Sequence, residues 1–212
     1  VDAGAPTSVS GAEYTYAYAI PAGTPDGPAA VSVTATDNAG NIATELSSSV
    51  LIIDNTPPAI ADIACADSPA RAGDTVLIGV TVSDANGLAT SPKMMIGGLE
   101  AGAPVDVTGE RYTYRFVIPQ SLAEGFVSIV VNASDKAGNS ASLPGHEGLF
   151  IDNSPPVIQG ITAQPPLAAV AQSVAIQVTA EDVSAIPVPP AVTVNGVDAG
   201  VPTAIDGNTY AY

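Results

Sequence analysis

The sequence repeats itself at an offset of 98 residues, without an insertion or a deletion. "GAEYTYAYAIP" from Gly11 matches "GERYTYRFVIP" from Gly109, and "GNTYAY" from Gly207 begins a third copy. The recurring acidic pairs are Asp37 and Asp135, Asp54 and Asp152, and Asp84 and Asp182. Because self-similarity at a constant spacing is typical of repeat architectures, this pattern predicts a tandem array of small domains.

Within each period, apolar and polar residues alternate, as they do in strands that bury one face. Three such faces are Val76, Ile78, Val80 and Val82; Tyr112, Tyr114, Phe116 and Ile118; and Val127, Ile129, Val131 and Ala133. Further strands are predicted near Ile60 and Val105, over Lys93–Ile96 and over Leu149–Asp152. About seven strands in one period predict an all-β fold of tandem immunoglobulin-like β-sandwich repeats.

The composition agrees with short strands joined by turns. The chain of 212 residues has no Trp and 3 Phe, and it contains 19 Pro and 20 Gly, which interrupt long helices. The formal net charge of −16 disfavours binding to nucleic acid and to anionic lipid, and it favours cations and solubility. No apolar run reaches the roughly 18 residues that a membrane-spanning helix needs, so we expect no membrane insertion in this segment.

Domain boundaries are predicted at the motifs "DNTPP" and "DNSPP", because two consecutive prolines cannot continue a strand ladder. The predicted division is the C-terminal part of one repeat at 1–58, a complete repeat at 59–156, and the N-terminal part of the next at 157–212. The missing halves then belong either to neighbouring molecules or to a longer polymer. A second phase, with units at 1–98 and 99–196 and a spare strand at 197–212, would suit strand donation between subunits.

The "VTATDNAGN" turn, followed by a strand and "IDNTPP", resembles the tandem bacterial and archaeal immunoglobulin-like repeats of large cell-surface proteins. These are found in adhesin stalks, surface-layer components and filaments, and the likeness covers the whole chain. The resemblance implies a structural role at the cell surface or outside the cell. Its implied partners are copies of the same chain, in a filament or a tandem array.

Acidic and amide side chains follow several predicted strands, and in an immunoglobulin-like sandwich three of these loops meet at one end of the domain. Carboxylate and amide oxygens suit Ca²⁺, so we expect calcium sites at the domain junctions. The candidate ligands are Asp37, Asp54, Asn55, Asp84, Asn86, Asp135, Asn139, Asp152 and Asp182. The "IDNTPP" joint also resembles the calcium-binding joint of cadherins, although it lacks one Asp of that pattern. The alternative is turn chemistry alone, because Asp and Asn bond the local backbone and Gly supplies a positive φ.

The sequence contains no constellation typical of catalysis, and we expect no enzymatic activity. Asn132-Ala133-Ser134 is an N-glycosylation sequon, so Asn132 is a candidate modification site. The tyrosine rows at 14–18 and 112–114 are expected to fill cores, although such rows also bind sugars or proteins. The sequence therefore predicts a stalk or filament segment. The alternatives are an adhesin module that binds glycan or protein through its loops, and an accessory sandwich of a secreted enzyme.

Overall fold

The computed structural model describes residues 3–212, apart from the side chains of residues 48–50. This part of the chain forms strands and turns and contains no helix, so the predicted all-β class is confirmed. No helix within it could cross a membrane. The strands are β1 Ser8–Ser10, β2 Glu13–Thr15, β3 Gly27–Thr36, β4 Ile42–Ile53, β5 Ala59–Cys65, β6 Thr75–Ser83, β7 Lys93–Ile96, β8 Leu99–Glu100, β9 Asp106–Thr108, β10 Arg111–Val117, β11 Gly125–Ser134, β12 Ser140–Ile151, β13 Val157–Gln164, β14 Ala175–Glu181, β15 Thr193–Val194, β16 Val197–Asp198, β17 Ala204–Asp206 and β18 Thr209–Ala211.

Two four-stranded sheets occupy the middle of the chain. One has the strand order β5-β6-β10-β9, and the other has the order β12-β11-β7-β8. Tyr114 of β10 lies opposite Ile78 of β6, in an antiparallel register. Ile129 of β11 lies opposite Ile96 of β7, also antiparallel. Each sheet therefore joins strands that are distant in sequence, and the chain passes three times from one sheet to the other.

The predicted alternation of apolar residues is visible as alternating burial. The buried side chains of these two sheets are Ile63, Val76, Ile78, Val80, Val82, Met94, Ile96, Tyr114, Phe116, Val127, Ile129, Val131, Ala133, Leu149 and Ile151. The residues between them along β11, such as Ser128 and Asn132, are exposed. Since successive side chains of a strand point to opposite faces, each sheet has one buried and one exposed face.

The flanking parts of the chain form smaller or less covered sheets. β1 and β2 make a hairpin, and β3 and β4 make a two-stranded sheet. At the other end, β13-β14-β18-β17 form a four-stranded sheet, and β15 and β16 form a hairpin. Tyr16 is 48% exposed, whereas Tyr114, at the matching position one period later, is fully buried. The first tyrosine row therefore fills no core, whereas Tyr114 and, one period after Tyr112, Tyr210 are buried.

One strand is longer than its sequence suggests. We expected a last strand over Leu149–Asp152, and the structure extends it over Ser140–Ile151. The added part contains Pro144 and Gly145, which discourage a strand. Its backbone pairs along β11 in the same sheet, and this tertiary pairing outweighs local preference.

By packing, the described chain forms two compact units. The first comprises the chain up to Ile60 with Val82–Pro92 and Ala133–Ala141. The second comprises Ala61–Thr81, Lys93–Asn132 and Ser142–Tyr212. Residues 54–58 and 152–156, which contain the double prolines, lie between strands. The domain boundaries at 58 and 156 stay a prediction.

Candidate metal centre

Three aspartates from distant parts of the sequence meet within the first packing unit. Asp54 follows β4, Asp84 follows β6, and Asp135 follows β11. Each offers a carboxylate oxygen, and these three oxygens lie within 4.8 Å of one another. We call these residues the aspartate trio. All three were candidate ligands on the sequence, and the structure brings them together.

Asp135 is the buried member of the trio, with 1% of its surface exposed. Its two carboxylate oxygens accept hydrogen bonds from the backbone N–H of Asn139, at 2.8 Å, and from the side-chain amide of Asn139, at 2.7 Å. Burial opposes ionisation and is the largest influence on this carboxyl. The bonds from Asn139 and from the backbone of Gly138 and Ala137 together outweigh it and hold the pKa of Asp135 below its ordinary value.

The local sequence dictates this turn. Asp135 N–H donates to the carbonyl of Asn139, and the intervening Gly138 has a φ of 97°, a region that favours glycine. Asp37 and Asn41 form the same turn, with the Asn41 side chain 2.7 Å from the Asp37 carboxylate. The bonds from Asn41 lower the pKa of Asp37. Asp37 belongs to no acidic trio among the described residues, so the turn forms without one.

Asn86 and Asn139 connect the trio through their side-chain amides. Asn86 Nδ2 donates to Oδ2 of Asp54 at 2.8 Å, and Asn86 N–H donates to Oδ1 of Asp84 at 2.9 Å. Asn139 Nδ2 also donates to the backbone carbonyl of Asp54, at 3.1 Å. Both asparagines were predicted as ligands and both lie at the trio, where they present N–H donors to the carboxylates.

Asn55 lies beside the trio in sequence but bonds elsewhere. Its backbone N–H and side-chain amide both donate to Oδ1 of Asp26, at 2.8 and 2.6 Å, and the hydroxyl of Thr56 donates to Oδ2 of Asp26. The Thr56 bond, followed by those of Asn55, lowers the pKa of Asp26. Asp26 was not among the ligands predicted from the sequence. The repeat offers a signal for this residue, because an acidic side chain stands before a glycine at both Asp26 and Glu124.

Asp152 and Asp182, which match Asp54 and Asp84 one period later, lie in the second packing unit. Asp182 accepts bonds from the backbone and side chain of Ser184, both at 2.8 Å, and these bonds lower its pKa. The side chain of Asp152 also lies within hydrogen-bonding reach of Asp182. Asp152 and Asp182 are thus neighbours, as Asp54 and Asp84 are.

The charge of the trio has little local compensation. Lys136 Nζ donates to the backbone carbonyl of Asn86 at 3.1 Å, and its ammonium forms no ion pair with the trio. Within residues 3–212 the ion pair that forms is Arg71–Asp74, at 3.7 Å. Carboxylates held this close repel one another, so bringing a cation to them is favourable. Several hard oxygens in one place are the donor type that Ca²⁺ prefers.

Asn132, the predicted glycosylation site, lies on β11 with its side chain exposed and opposite Lys93 of β7. Its exposure makes the amide accessible, and modification stays a prediction.

Comparison with known proteins identifies no relative. No family model matches the chain, and no curated protein or solved structure is significantly similar to it. The resemblance to surface-protein repeats therefore rests on the motifs of the sequence.

Proposed function

We propose that this chain is a segment of tandem immunoglobulin-like repeats that forms a stalk or filament of an extracellular surface protein. The sheet order supports the sandwich. Immunoglobulin domains place strands A, B, E and D in one sheet and G, F and C in the other. Here β5, β6 and β7 take the places of A, B and C, β8 is an added strand after C, and β9 to β12 take the places of D to G. With these letters, the two observed sheet orders are A-B-E-D and G-F-C followed by the added strand.

The strand boundaries support a structural period equal to the sequence period. β3 spans Gly27–Thr36 and β11 spans Gly125–Ser134, so both ends are displaced by one period. β4 and β12 correspond in the same way, at Ile42–Ile53 and Ser140–Ile151. Equal displacement of four strand ends is expected when each repeat folds by the same local rules.

The observation that carries the proposed role is the hydrogen bonding of the double-proline joints. Glu124 Oε1 accepts from the backbone of Asn153 at 3.0 Å and from the hydroxyl of Ser154 at 2.8 Å. The amide oxygen of Asn153 accepts from the N–H of Ala72 at 2.7 Å. Asp26 holds Asn55 and Thr56 in the same manner one period earlier. A linker that is fixed at its start and stiffened by two prolines limits bending, as a stalk requires.

Calcium binding by the aspartate trio is part of this proposal. The trio comprises residues from a joint and from two loops of the following sandwich, so one ion would connect the joint to that sandwich. Asp54, Asp84 and Asp135 would supply carboxylate ligands, and Asn86 and Asn139 would turn their amide oxygens toward the ion. Binding to the folded state alone would raise its stability through mass action. The net charge of −16 would keep long arrays soluble and extended.

The experiment that tests the stalk is immunogold electron microscopy of the source cells, with antibody raised against the purified chain. We expect gold particles on thin surface projections, at a regular spacing. The pre-immune serum is the control. Label that is confined to the cell interior would contradict the proposal.

A groove on the second packing unit favours a second candidate, an adhesin module. This open groove of about 720 Å³ is lined by Glu124, Phe150, Asp182 and Val183, among others. Apolar side chains and carboxylates in one groove suit a ligand with both apolar and donor groups. A glycan array probed with the wild-type chain tests this function, with Phe150→Ser as the control. Binding by the wild-type alone would favour the adhesin.

A further inference from the structure

The loop after β6 contains the dipeptide Asn86-Gly87, and the backbone nitrogen of its glycine is unbonded. Asn86 is exposed, and Gly87 has a φ of 87°, in the left-handed region that glycine adopts readily. Among the residues that the structure describes, the Gly87 N–H donates to no acceptor. The nitrogen that follows the Asn86 side chain is therefore free to react.

An asparagine that precedes a glycine can react with its own backbone. The glycine nitrogen attacks the side-chain carbon Cγ and forms a five-membered succinimide. The bond from Cγ to Nδ2 breaks, and Nδ2 leaves as ammonia with the proton of the glycine nitrogen. Water then opens the ring at either carbonyl and gives aspartate or isoaspartate. Glycine favours the attack because it has no side chain to obstruct it, and groups in adjacent residues need no encounter.

Lys136 is placed to assist this reaction. Its Nζ donates to the backbone carbonyl oxygen of Asn86 at 3.1 Å. This carbonyl belongs to the peptide bond whose nitrogen, that of Gly87, is the nucleophile. As the nitrogen loses its proton, negative charge spreads by resonance onto the carbonyl oxygen. An ammonium group that is hydrogen-bonded to this oxygen stabilises the developing charge.

Gly87 also makes room for the ammonium group. A Cβ at this position would lie 2.9 Å from Nζ of Lys136. A larger residue would therefore displace the lysine from the Asn86 carbonyl. The same glycine thus leaves its nitrogen accessible and allows the lysine to approach.

The following repeat forms the same turn without this chemistry. It has Ser184 and Ala185 at the positions of Asn86-Gly87. The Ser184 N–H donates to Asp182 at 2.8 Å, and Ala185 has a φ of 72°. Since serine has no side-chain amide, it cannot form a succinimide. The backbone of the turn therefore does not require an asparagine followed by a glycine.

We propose that Asn86 is a self-modification site, which converts to aspartate or isoaspartate through attack by Gly87, with Lys136 stabilising the developing charge. In the aspartate product, a carboxylate replaces the amide whose Nδ2 donates to Oδ2 of Asp54 at 2.8 Å. The reaction goes beyond the proposed function, and its effect on calcium rests on the calcium proposed for the aspartate trio.

The aspartate product places a fourth carboxylate beside the aspartate trio. Without calcium, the new charge repels Asp54 and the hydrogen bond from the amide is lost, so the folded state is destabilised. With calcium, the product offers a charged oxygen ligand, and calcium affinity depends on the number of charged ligands. The converted chain would then depend more strongly on calcium for its stability.

The dipeptide Asn195-Gly196 provides an internal reference. It forms the turn between β15 and β16, and its two residues have φ values of 51° and 80°. Within the described chain, no lysine donates a hydrogen bond to Asn195. The conversion rate of Asn195 therefore reports the reaction of the dipeptide without an ammonium group.

Peptide mapping by mass spectrometry tests the reaction, because each conversion replaces an amide with a heavier acid. The wild-type chain is incubated in neutral buffer with EGTA, and both dipeptides are followed in parallel. Asn86 should convert faster than Asn195 in the folded chain. In guanidinium chloride, where Lys136 no longer bonds to Asn86, the two rates should be similar. Equal rates in the folded chain, or faster conversion of Asn195, would overturn the proposal.

The role of the lysine is tested with Lys136→Met. Conversion of Asn86 should slow about tenfold, the effect of losing one hydrogen bond from a charged donor, while the rate at Asn195 stays the same. Lys136→Arg keeps a charged donor and should retain more of the rate. Lys93→Met removes the other lysine of the chain and is the matched control. A wild-type rate at Asn86 in a folded Lys136→Met chain, as judged by its melting transition, would refute the assistance.

Asn86→Asp reproduces the aspartate product and separates this inference from the calcium proposal. In differential scanning calorimetry it should melt below the wild-type chain in EGTA and gain more from calcium. Asn86→Ser, which has the residue of the following repeat, is the control and should gain no more than the wild-type. If neither the wild-type nor Asn86→Asp responds to calcium, the predicted effect on calcium is wrong, while conversion in the peptide map still supports the modification site. A calcium response without any conversion of Asn86 would overturn the modification site and leave the calcium proposal intact.

Discussion

The side-chain amide of Asn139 donates to the backbone carbonyl of Asp54, at 3.1 Å, and to the carboxylate of Asp135, at 2.7 Å. One asparagine therefore ties the turn after β11 to the end of β4, 85 residues away in the chain. The same contact holds two carboxyl groups near each other. Carboxylates fixed in this way are stabilised by a cation, and this is the physical basis for proposing calcium at the trio.

Replacing Asp84 with asparagine should have effects of opposite sign with and without calcium. In EGTA, Asp84→Asn should raise the melting midpoint, because it removes one of three repelling charges. In the wild-type, calcium at 100 times its Kd should add about 2.7 kcal/mol to the free energy of unfolding. The variant should lose most of this gain. Differential scanning calorimetry measures both effects.

The control for this experiment is Asp106→Asn, an exposed acid on β9 outside the trio. It should leave the gain from calcium intact. Identical wild-type midpoints in calcium and in EGTA would remove calcium from the proposal.

The hydroxyl of Thr56 should set the pKa of Asp26. Thr56 and Asn55 lower this pKa through their hydrogen bonds, against a smaller opposing effect of burial. Because the folded pKa is below the unfolded value of about 3.9, the bonds add stability above that pH, and this stability is lost as the pH falls through the folded pKa. An NMR titration of the Asp26 carboxyl carbon should give a higher pKa in Thr56→Val than in the wild-type. Thr44→Val, which removes a hydroxyl bonded to Thr34, is the control. Equal pKa values in wild-type and Thr56→Val would refute this role of Thr56.

A valine-to-alanine substitution should lower the free energy of unfolding by different amounts at two matching positions. Val131 is fully buried, whereas Val33, one period earlier, is 57% exposed. Val131→Ala should lower the free energy of unfolding by about 2 kcal/mol, from lost burial and the cavity left behind. Val33→Ala should change it by about 0.5 kcal/mol or less in dilute solution. Urea unfolding monitored by tyrosine fluorescence measures both. Similar costs would mean that β3 is covered within a single chain.

The turn after β11 should require glycine at position 138. Gly138 has a φ of 97°, and an alanine there is strained although no atom lies within 4 Å of the added Cβ. Gly138→Ala should cost about 1 kcal/mol or more and lower the melting midpoint. Gly160→Ala is the control, because Gly160 has equally open surroundings and lies outside the left-handed region. A midpoint unchanged by Gly138→Ala would show that the turn relaxes without loss.

The part of the structure that the sequence predicts is the part that depends on neighbours in the chain. Alternation at Val76, Ile78 and Val80 predicts a strand with one buried face, because side chains of a strand alternate between faces. The Asp135–Asn139 turn is equally local, since its bonds join residues four apart. The strand over Lys93–Ile96 was predicted with its observed ends for the same reason.

Contacts between distant segments depended on the tertiary structure. The sequence indicated that Asp54, Asp84 and Asp135 could meet, but it did not show that Asn55 turns away to Asp26, 29 residues earlier. It also did not show that the tyrosine row at 14–18 is exposed while Tyr114 is buried. Nearly identical residues have different surroundings in the two tyrosine rows, because the burial of a side chain depends on which strands pack over its face of the sheet. By itself, the sequence determined the all-β class and local turns such as Asp135–Asn139; only the tertiary structure decided which faces are covered and which acidic side chains meet.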